Sequence, residues 1–212
     1  MSYLFTRSLR LAPSNLVDSM AWSIKMTEKV NQIAEIKVSL WSPVMSPQIN
    51  TLIFSAVVED LSLLTATDEK LMADAGYLDL VQEGSKYTAD TGVDDQLMRI
   101  IHADPDAGDS SEYASVVRAV VTPGSFVDGI TLGVEIAQRA KAITGRPVQF
   151  GQATTGVYGE VGWIALYDSI EQVQAADEAL GSDADFAALL DAKAAKAYLP
   201  GHSKQRISRK LA

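Results

Sequence analysis

Residues 66–81 read ATDEKLMADAGYLDLV, and residues 175–190 read AADEALGSDADFAALL. Aligned at an offset of 109, Ala66, Asp68, Glu69, Leu71, Asp74, Ala75 and Leu80 recur as Ala175, Asp177, Glu178, Leu180, Asp183, Ala184 and Leu189, and Tyr77 recurs as Phe186. A second match, PSNLVD at 13–18 against PGSFVD at 123–128, has an offset of 110. Two separate matches at nearly one spacing mark an internal duplication, which narrows the folds open to the chain more than any single motif does. Residues 103–112, ADPDAGDSSE, are polar and lack an apolar period. The chain is therefore expected to divide into a first repeat over 1–103, a linker over 104–112 and a second repeat over 113–212.

The hydrophobic periods give each repeat the same elements. Residues 3–11 alternate as a strand, with Phe5, Leu9 and Leu11 on one side. Pro13 ends it, and Ser14 or Asn15 can cap a helix whose stripe is Leu16, Met20, Ile24, Thr27 and Val30. Phe126, Ile130, Val134, Ala137 and Ala140 repeat that stripe, and Gly145 stops it. Second strands are expected at 36–41 and 148–150, third strands at 52–58 and 161–167, and fourth strands at 96–102 and 204–208. The repeated phrase forms the helix before the last strand, with Leu71, Ala75, Leu78 and Val81 as its stripe. The order βαββαβ, twice, is the ferredoxin-like arrangement. A four-stranded sheet with two helices covers one face only, so the other face needs a partner, and the second copy supplies it. The expected fold class is α+β: two tandem ferredoxin-like repeats packing sheet to sheet.

Tandem halves with an Asp-Ala-x-aromatic-x-x-Leu helix before the last strand resemble the dimeric α/β barrel superfamily, in particular its antibiotic-biosynthesis-monooxygenase-like and NIPSNAP-like branches. The resemblance implies an intramolecular dimeric α/β barrel. It also implies a range of activities: cofactor-free oxygenases, cyclases, isomerases and haem-handling proteins. Fold alone does not choose among them.

Charge and composition exclude some classes. The net charge of −9 opposes binding to nucleic acid, whose phosphates require a basic face. Charge is unevenly distributed: residues 57–112 hold 14 acidic side chains against Lys70, Lys86 and Arg99, whereas no acid follows Asp191. Opposite ends of this kind would aid homo-oligomer formation. The absence of cysteine excludes disulfides and thiolate chemistry. No apolar run approaches the roughly 20 residues of a membrane span, so a cytoplasmic protein without a membrane partner is expected.

Motifs for chemistry are sparse. His102 and His202 cannot make a three-histidine metal site, and no metal is expected. Either could ligate haem axially, a cofactor that the resemblance brings in; otherwise no cofactor is expected. The glycine-rich residues 154–163 lie between two strands and read as a hairpin, because a phosphate cradle needs a following helix. Asp68–Glu69 and Asp177–Glu178 are read as first-turn acids that complement helix dipoles.

Strand alternation groups Phe54 with Ala56 and Val58, and Trp163 with Ala165 and Tyr167; these are expected to line the space between the sheets, together with Trp41 and Gln149. Arg7 and Arg118 sit in apolar strands on opposite faces of their sheets, so at least one points inward and needs a carboxylate or an anionic ligand. Trp22 falls off its helix stripe and is either a pocket residue or a contact surface. The substrate-pocket candidates are Arg7, Trp41, Phe54, Gln149, Trp163 and Tyr167. If the protein is an enzyme, the resemblance points to an aromatic or polyketide-like substrate, with His102 or Tyr158 as acid/base and Arg118 holding an anionic oxygen. The alternatives are a non-catalytic binding or assembly protein, and a haem-binding protein.

Overall fold

The computed structural model describes residues 2–12, 16–104 and 111–212, without the side chains of 90 and 91. Pro13, Ser14 and Asn15, and with them the expected helix cap, lie outside the described residues, as does most of the expected linker.

The element order is β1 (Tyr3–Leu11), α1 (Leu16–Ile33), β2 (Ser39–Val44), β3 (Thr51–Val58), α2 (Leu61–Met72), α3 (Ala75–Gly84) and β4 (Thr88–His102). The same order follows as β5 (Tyr113–Val120), α4 (Phe126–Thr144), β6 (Val148–Ala153), β7 (Glu160–Tyr167), α5 (Ile170–Ser182), α6 (Ala184–Leu189) and β8 (Lys204–Lys210). The hydrogen-bonded strand order β1-β3-β2-β8-β5-β7-β6-β4 closes on itself as a barrel. Each repeat thus contributes its strands in the order fourth, first, third, second, and the α+β class expected from the sequence is the one observed. Two compact units result. One comprises Met1–Leu97 with Arg209–Ala212, and the other Met98–Ser208.

Within the first unit, β1 and β3 run antiparallel with Arg7 opposite Phe54 and Leu9 opposite Leu52. Within the second, β5 and β7 pair in the same way, with Val117 opposite Trp163 and Arg118 opposite Gly162. Residues 154–159 connect β6 and β7, which pair antiparallel, so the glycine-rich stretch is a hairpin as expected.

The long helices keep part of the expected stripe, Thr27 in α1 and Ala137 and Ala140 in α4, with Ile24, Val30, Ile130 and Val134 packed beside the cores, but its first residues turn outward. In α1 the buried residues are Ser19, Trp22, Ser23, Met26 and Thr27, while Leu16 and Met20 are exposed. In α4 they are Gly129, Leu132, Gly133, Ala137 and Ala140, while Phe126 is exposed. Ser19, Ser23 and Thr27 recur at offset 110 as Gly129, Gly133 and Ala137. Small side chains let the helix lie close to its sheet. Two of the hydroxyls can be buried because they donate back along the helix, Ser23 Oγ to Ser19 O at 2.6 Å and Thr27 Oγ1 to Ser23 O at 2.9 Å.

The repeated phrase is not one helix. It breaks at Asp74 and Asp183, each the N-cap of a new helix: Asp74 Oδ1 accepts from Tyr77 N and Asp183 Oδ1 from Phe186 N, both at 2.7 Å. The break rotates the buried stripe to Leu71, Tyr77 and Leu80, leaving Leu78 and Val81 exposed. The cap is held from the long helix in both repeats, by Lys29 on Asp74 at 2.9 Å and by Arg139 on Asp183 at 3.4 Å. Because α2 starts at Leu61 and α5 at Ile170, Asp68–Glu69 and Asp177–Glu178 lie in mid-helix rather than in first turns.

Strand ends shift too. β2 starts at Ser39 rather than 36, because Asn31 ties Val38 to α1 through both its amide groups, at 2.7 and 2.9 Å. β4 begins eight residues before its expected start, through the polar residues 88–95.

Candidate functional site

In the first unit a cavity of about 750 Å³ opens between the sheet and its helices. β1 contributes Phe5, Arg7 and Leu9, and β3 contributes Phe54. The helical wall includes Trp22, Met26 and Val30 from α1, Leu71 from α2, and Tyr77 from α3. This size and apolar lining suit a small organic molecule.

Two features shape the cavity. Trp22 is 7% exposed and its Nε1 donates to Leu80 O at 2.8 Å, which fixes the indole against α3. Gly84 makes room for it: a Cβ there would lie 2.4 Å from the indole Cζ2. Trp22 is therefore a cavity wall and not a contact surface. At one side Arg7 meets Asp95 of β4 as a fork, Nε to Oδ1 and Nη2 to Oδ2, both at 2.7 Å. The hydrogen bond to Asp95 raises the Arg7 pKa, and burial opposes it. Both side chains are about half-exposed, so the pair can open to a ligand at small cost in stability.

The corresponding layer of the second unit holds a cluster of packed aromatic side chains. Phe150 is fully buried, and its ring occupies the place where a Cβ on Gly133 would come within 2.1 Å. Trp163 stacks beside it with centroids 5.2 Å apart and donates through Nε1 to Gly133 O at 2.8 Å. Tyr198 meets Trp163 edge-on at 5.5 Å and donates to Gly129 O at 2.6 Å. Burial pushes the phenols of Tyr198 and Tyr167 up, so both stay protonated. At the equivalent places the first unit has Leu40 for Phe150 and Phe54 for Trp163, while Trp22 stands where the second unit has Leu132, so the two layers hold the same three side-chain types in different places.

These contacts correct one expectation. Alternation groups Phe54, and likewise Trp163 with Tyr167, as expected, but they face the helices of their own sheets rather than the space between sheets. Arg7 lies opposite Phe54 and shares its side. Trp41 points to the other side, donating to Ser55 Oγ at 2.9 Å with Lys210 Nζ 5.7 Å from its ring centroid. In the second unit, Gln149 pairs with Ile164 and Arg118 with Gly162, so both occupy the face opposite Trp163. The arginines thus do take opposite faces, and Arg118 has its carboxylate, Glu160, at 3.1 Å.

Of the pocket candidates, the structure brings Arg7 and Phe54 together at the cavity. His102, Tyr158 and Arg118 are not among the residues that line it. Tyr158 is 94% exposed in the hairpin loop, and His102 ends β4 opposite Phe150 beside a register shift. Sequence reasoning missed Asp95, Met26, Leu71 and Tyr77. Tyr77 carried a signal, since it is the aromatic of the repeated phrase. Among the described residues no cluster of His, Asp or Glu has the makings of a metal site, and no helix is long and apolar enough to cross a membrane.

No family model matches the chain, and no curated protein matches it. Solved structures do. A Fusobacterium nucleatum protein provisionally assigned as a monooxygenase superposes with a TM-score of 0.74 at 9% identity, covering 100% of this chain and 93% of its own. An anthrone oxidase-like protein gives 0.68 at 14% identity, with 100% and 92% covered. A haem-binding protein of Thermus thermophilus gives 0.56 at 12% identity, with 100% and 93% covered. At these identities the likeness is one of fold, and with the closed eight-strand order it establishes that the chain has the fold of the dimeric α/β barrels, built by tandem duplication within one polypeptide.

Proposed function

We propose that the first unit binds a small aromatic or polyketide-like molecule in its sheet–helix cavity, with a polar oxygen of the ligand directed at the Arg7–Asp95 pair. The observation that carries this reading is the cavity of about 750 Å³ in the first unit with the Arg7–Asp95 pair in its lining, in the layer where the second unit packs Phe150, Trp163 and Tyr198 against one another. Its wall is apolar and aromatic, and one ion pair supplies polarity, which matches the usual make-up of a small-molecule site.

The same pair can support proton-transfer chemistry of the kind a cofactor-free monooxygenase, a cyclase or an isomerase needs. The Asp95 carboxylate can accept a proton from an acidic carbon or hydroxyl of the ligand, and the Arg7 guanidinium can hold the oxyanion so formed. The names of the monooxygenase and anthrone oxidase-like fold neighbours favour this chemistry. The alternative is binding without turnover.

A histidine-ligated haem does not fit this cavity. Neither histidine is among its lining residues, and His202 is exposed in the turn before β8. Self-association is a second reading, supported by the acid-rich 57–112 stretch, the acid-free end and the exposed Leu16, Val17, Phe126 and Val127. Light scattering at low and high salt tests it, because screening should loosen a charge-driven assembly.

Anthrone tests the main reading. Titration should quench the emission of Trp22, and the quenching should disappear in Trp22→Phe. Arg7→Met should weaken binding by about tenfold, the loss of one charge-assisted hydrogen bond. Anthrone-dependent oxygen uptake, lost in Asp95→Asn, would show turnover. Saturable binding without uptake would leave a binding protein. No change in Trp22 emission with anthrone would overturn the assignment of the cavity.

A further inference from the structure

The cavity of the first unit has three charged side chains among its described lining residues: Arg7, Asp68 and Asp95. They sum to one negative charge, and the cation is already engaged. Arg7 holds Asp95 through two hydrogen bonds of 2.7 Å, which take both carboxylate oxygens. Asp68, on α2, is exposed and has no ion-pair partner among the described residues. It still acts on Arg7, whose pKa is raised first by the hydrogen bond to Asp95, against burial, and then by the nearness of Tyr77 and Asp68. Tyr77 is 9% exposed and lines the same cavity. Its backbone N–H serves the Asp74 cap, but its hydroxyl has no hydrogen-bond partner among the described residues. A hydroxyl held in this way leaves a hydrogen bond for whatever fills the cavity to make.

These groups discriminate by charge. An uncharged aromatic hydroxyl or ketone can pair with Tyr77 while the Arg7–Asp95 fork stays closed. A carboxylate finds no free cation. To reach Arg7 it must displace Asp95. That costs the fold little, yet it leaves the displaced aspartate and Asp68 near the incoming anion. Like charges ~4 Å apart repel by about 1 kcal/mol even in water, and by more where water is partly excluded. We infer that the cavity selects an uncharged aromatic ligand over its carboxylate counterpart, with Asp95 and Asp68 refusing the anion and Tyr77 donating to the neutral oxygen. The inference rests on the cavity reading above and gives it a charge class. A cation is not favoured either, because Asp95 is paired and Asp68 is exposed to solvent.

The probes are 2-naphthol and 2-naphthoate at pH 7, where a phenol is neutral and a carboxylic acid ionised. Each is titrated calorimetrically into the full chain. Naphthol should saturate, and naphthoate should bind at least tenfold more weakly. Asp95→Asn frees Arg7 and should reverse the order, while Asp68→Asn should narrow the gap a few-fold. Tyr77→Phe should weaken naphthol several-fold and leave naphthoate unchanged. Asp68 is exposed, so Asp68→Asn remains readable if the Asp95 variant does not fold. Equal affinities in the parent, or an order unaltered in Asp95→Asn, would overturn the inference while leaving the cavity reading in place. Tighter binding of 2-naphthylmethylammonium than of naphthol would overturn the uncharged class. Failure of both naphthalenes, with Trp22 emission unmoved by anthrone, would remove the cavity reading itself and this inference with it.

Discussion

At the scale of single residues, the duplication has preserved a device rather than a composition. Asp74 and Asp183 each end one helix and cap the next, and each is held by a basic side chain one repeat apart, Lys29 or Arg139. The hydrogen bond from Lys29, then the backbone N–H of Tyr77, holds the Asp74 carboxyl below its usual value near 3.8. A depressed folded pKa means the folded chain resists protonation more than the unfolded chain does. The stabilisation is therefore complete above the ordinary carboxylate range and lost as pH falls through the lower folded value. Asp74→Asn keeps a capping side chain and removes the charge. Urea titrations should find the variant less stable than the parent at pH 7, with the difference closing in strong acid. A difference that stays constant down to acid pH would mean that Lys29 is not its source.

At the scale of elements, repeat and period could be read from the sequence, but orientation could not. The βαββαβ order and the hairpin at 154–159 followed from alternation and glycine placement. The helix break at Asp74 was missed because Ala73 and Ala75 continue a good helix by propensity, and only the capping geometry interrupts it. The buried stripes of α1 and α4 were only partly read because small residues are buried there beside Trp22, Met26 and Leu132. Ser19, Ser23 and Thr27, like Gly129, Gly133 and Ala137, are selected by size, and their recurrence at offset 110 was the available clue. Gly133→Ala tests this. Its new methyl would meet the fully buried Phe150 ring, and overpacking should cost ~1–3 kcal/mol in urea unfolding. Ser23→Ala, at the equivalent place facing the first unit's cavity layer, removes a hydroxyl whose bond is internal to the helix and should cost less than about 1 kcal/mol. A loss no larger in Gly133→Ala than in Ser23→Ala would show that the second layer has room for the methyl.

At the scale of the whole molecule, one gene duplication has produced two sheet–helix layers with the same elements and different contents. Strand alternation could say that Phe54 belongs with Arg7 and that Trp163 belongs with Tyr167. It could not say which side of the sheet they face, because apolar residues occur at both alternating sets of strand positions. Nor could it say which layer is hollow, since that depends on where each ring sits rather than on composition: Leu40, Phe54 and Trp22 in one unit and Phe150, Trp163 and Leu132 in the other are the same three residue types. Phe54→Trp makes the first unit imitate the second at that point. If the layer is hollow, the larger ring enters free volume and buries additional apolar surface, at roughly 25 cal/mol per Å². The thermal midpoint should then hold or rise, while the fluorescence of a hydrophobic dye such as 8-anilinonaphthalene-1-sulfonate falls sharply. If the layer is already filled, the same ring overpacks it and stability falls by ~1–3 kcal/mol. The sign of one stability change therefore distinguishes a binding cavity from a core, and with it the function assigned to the first unit.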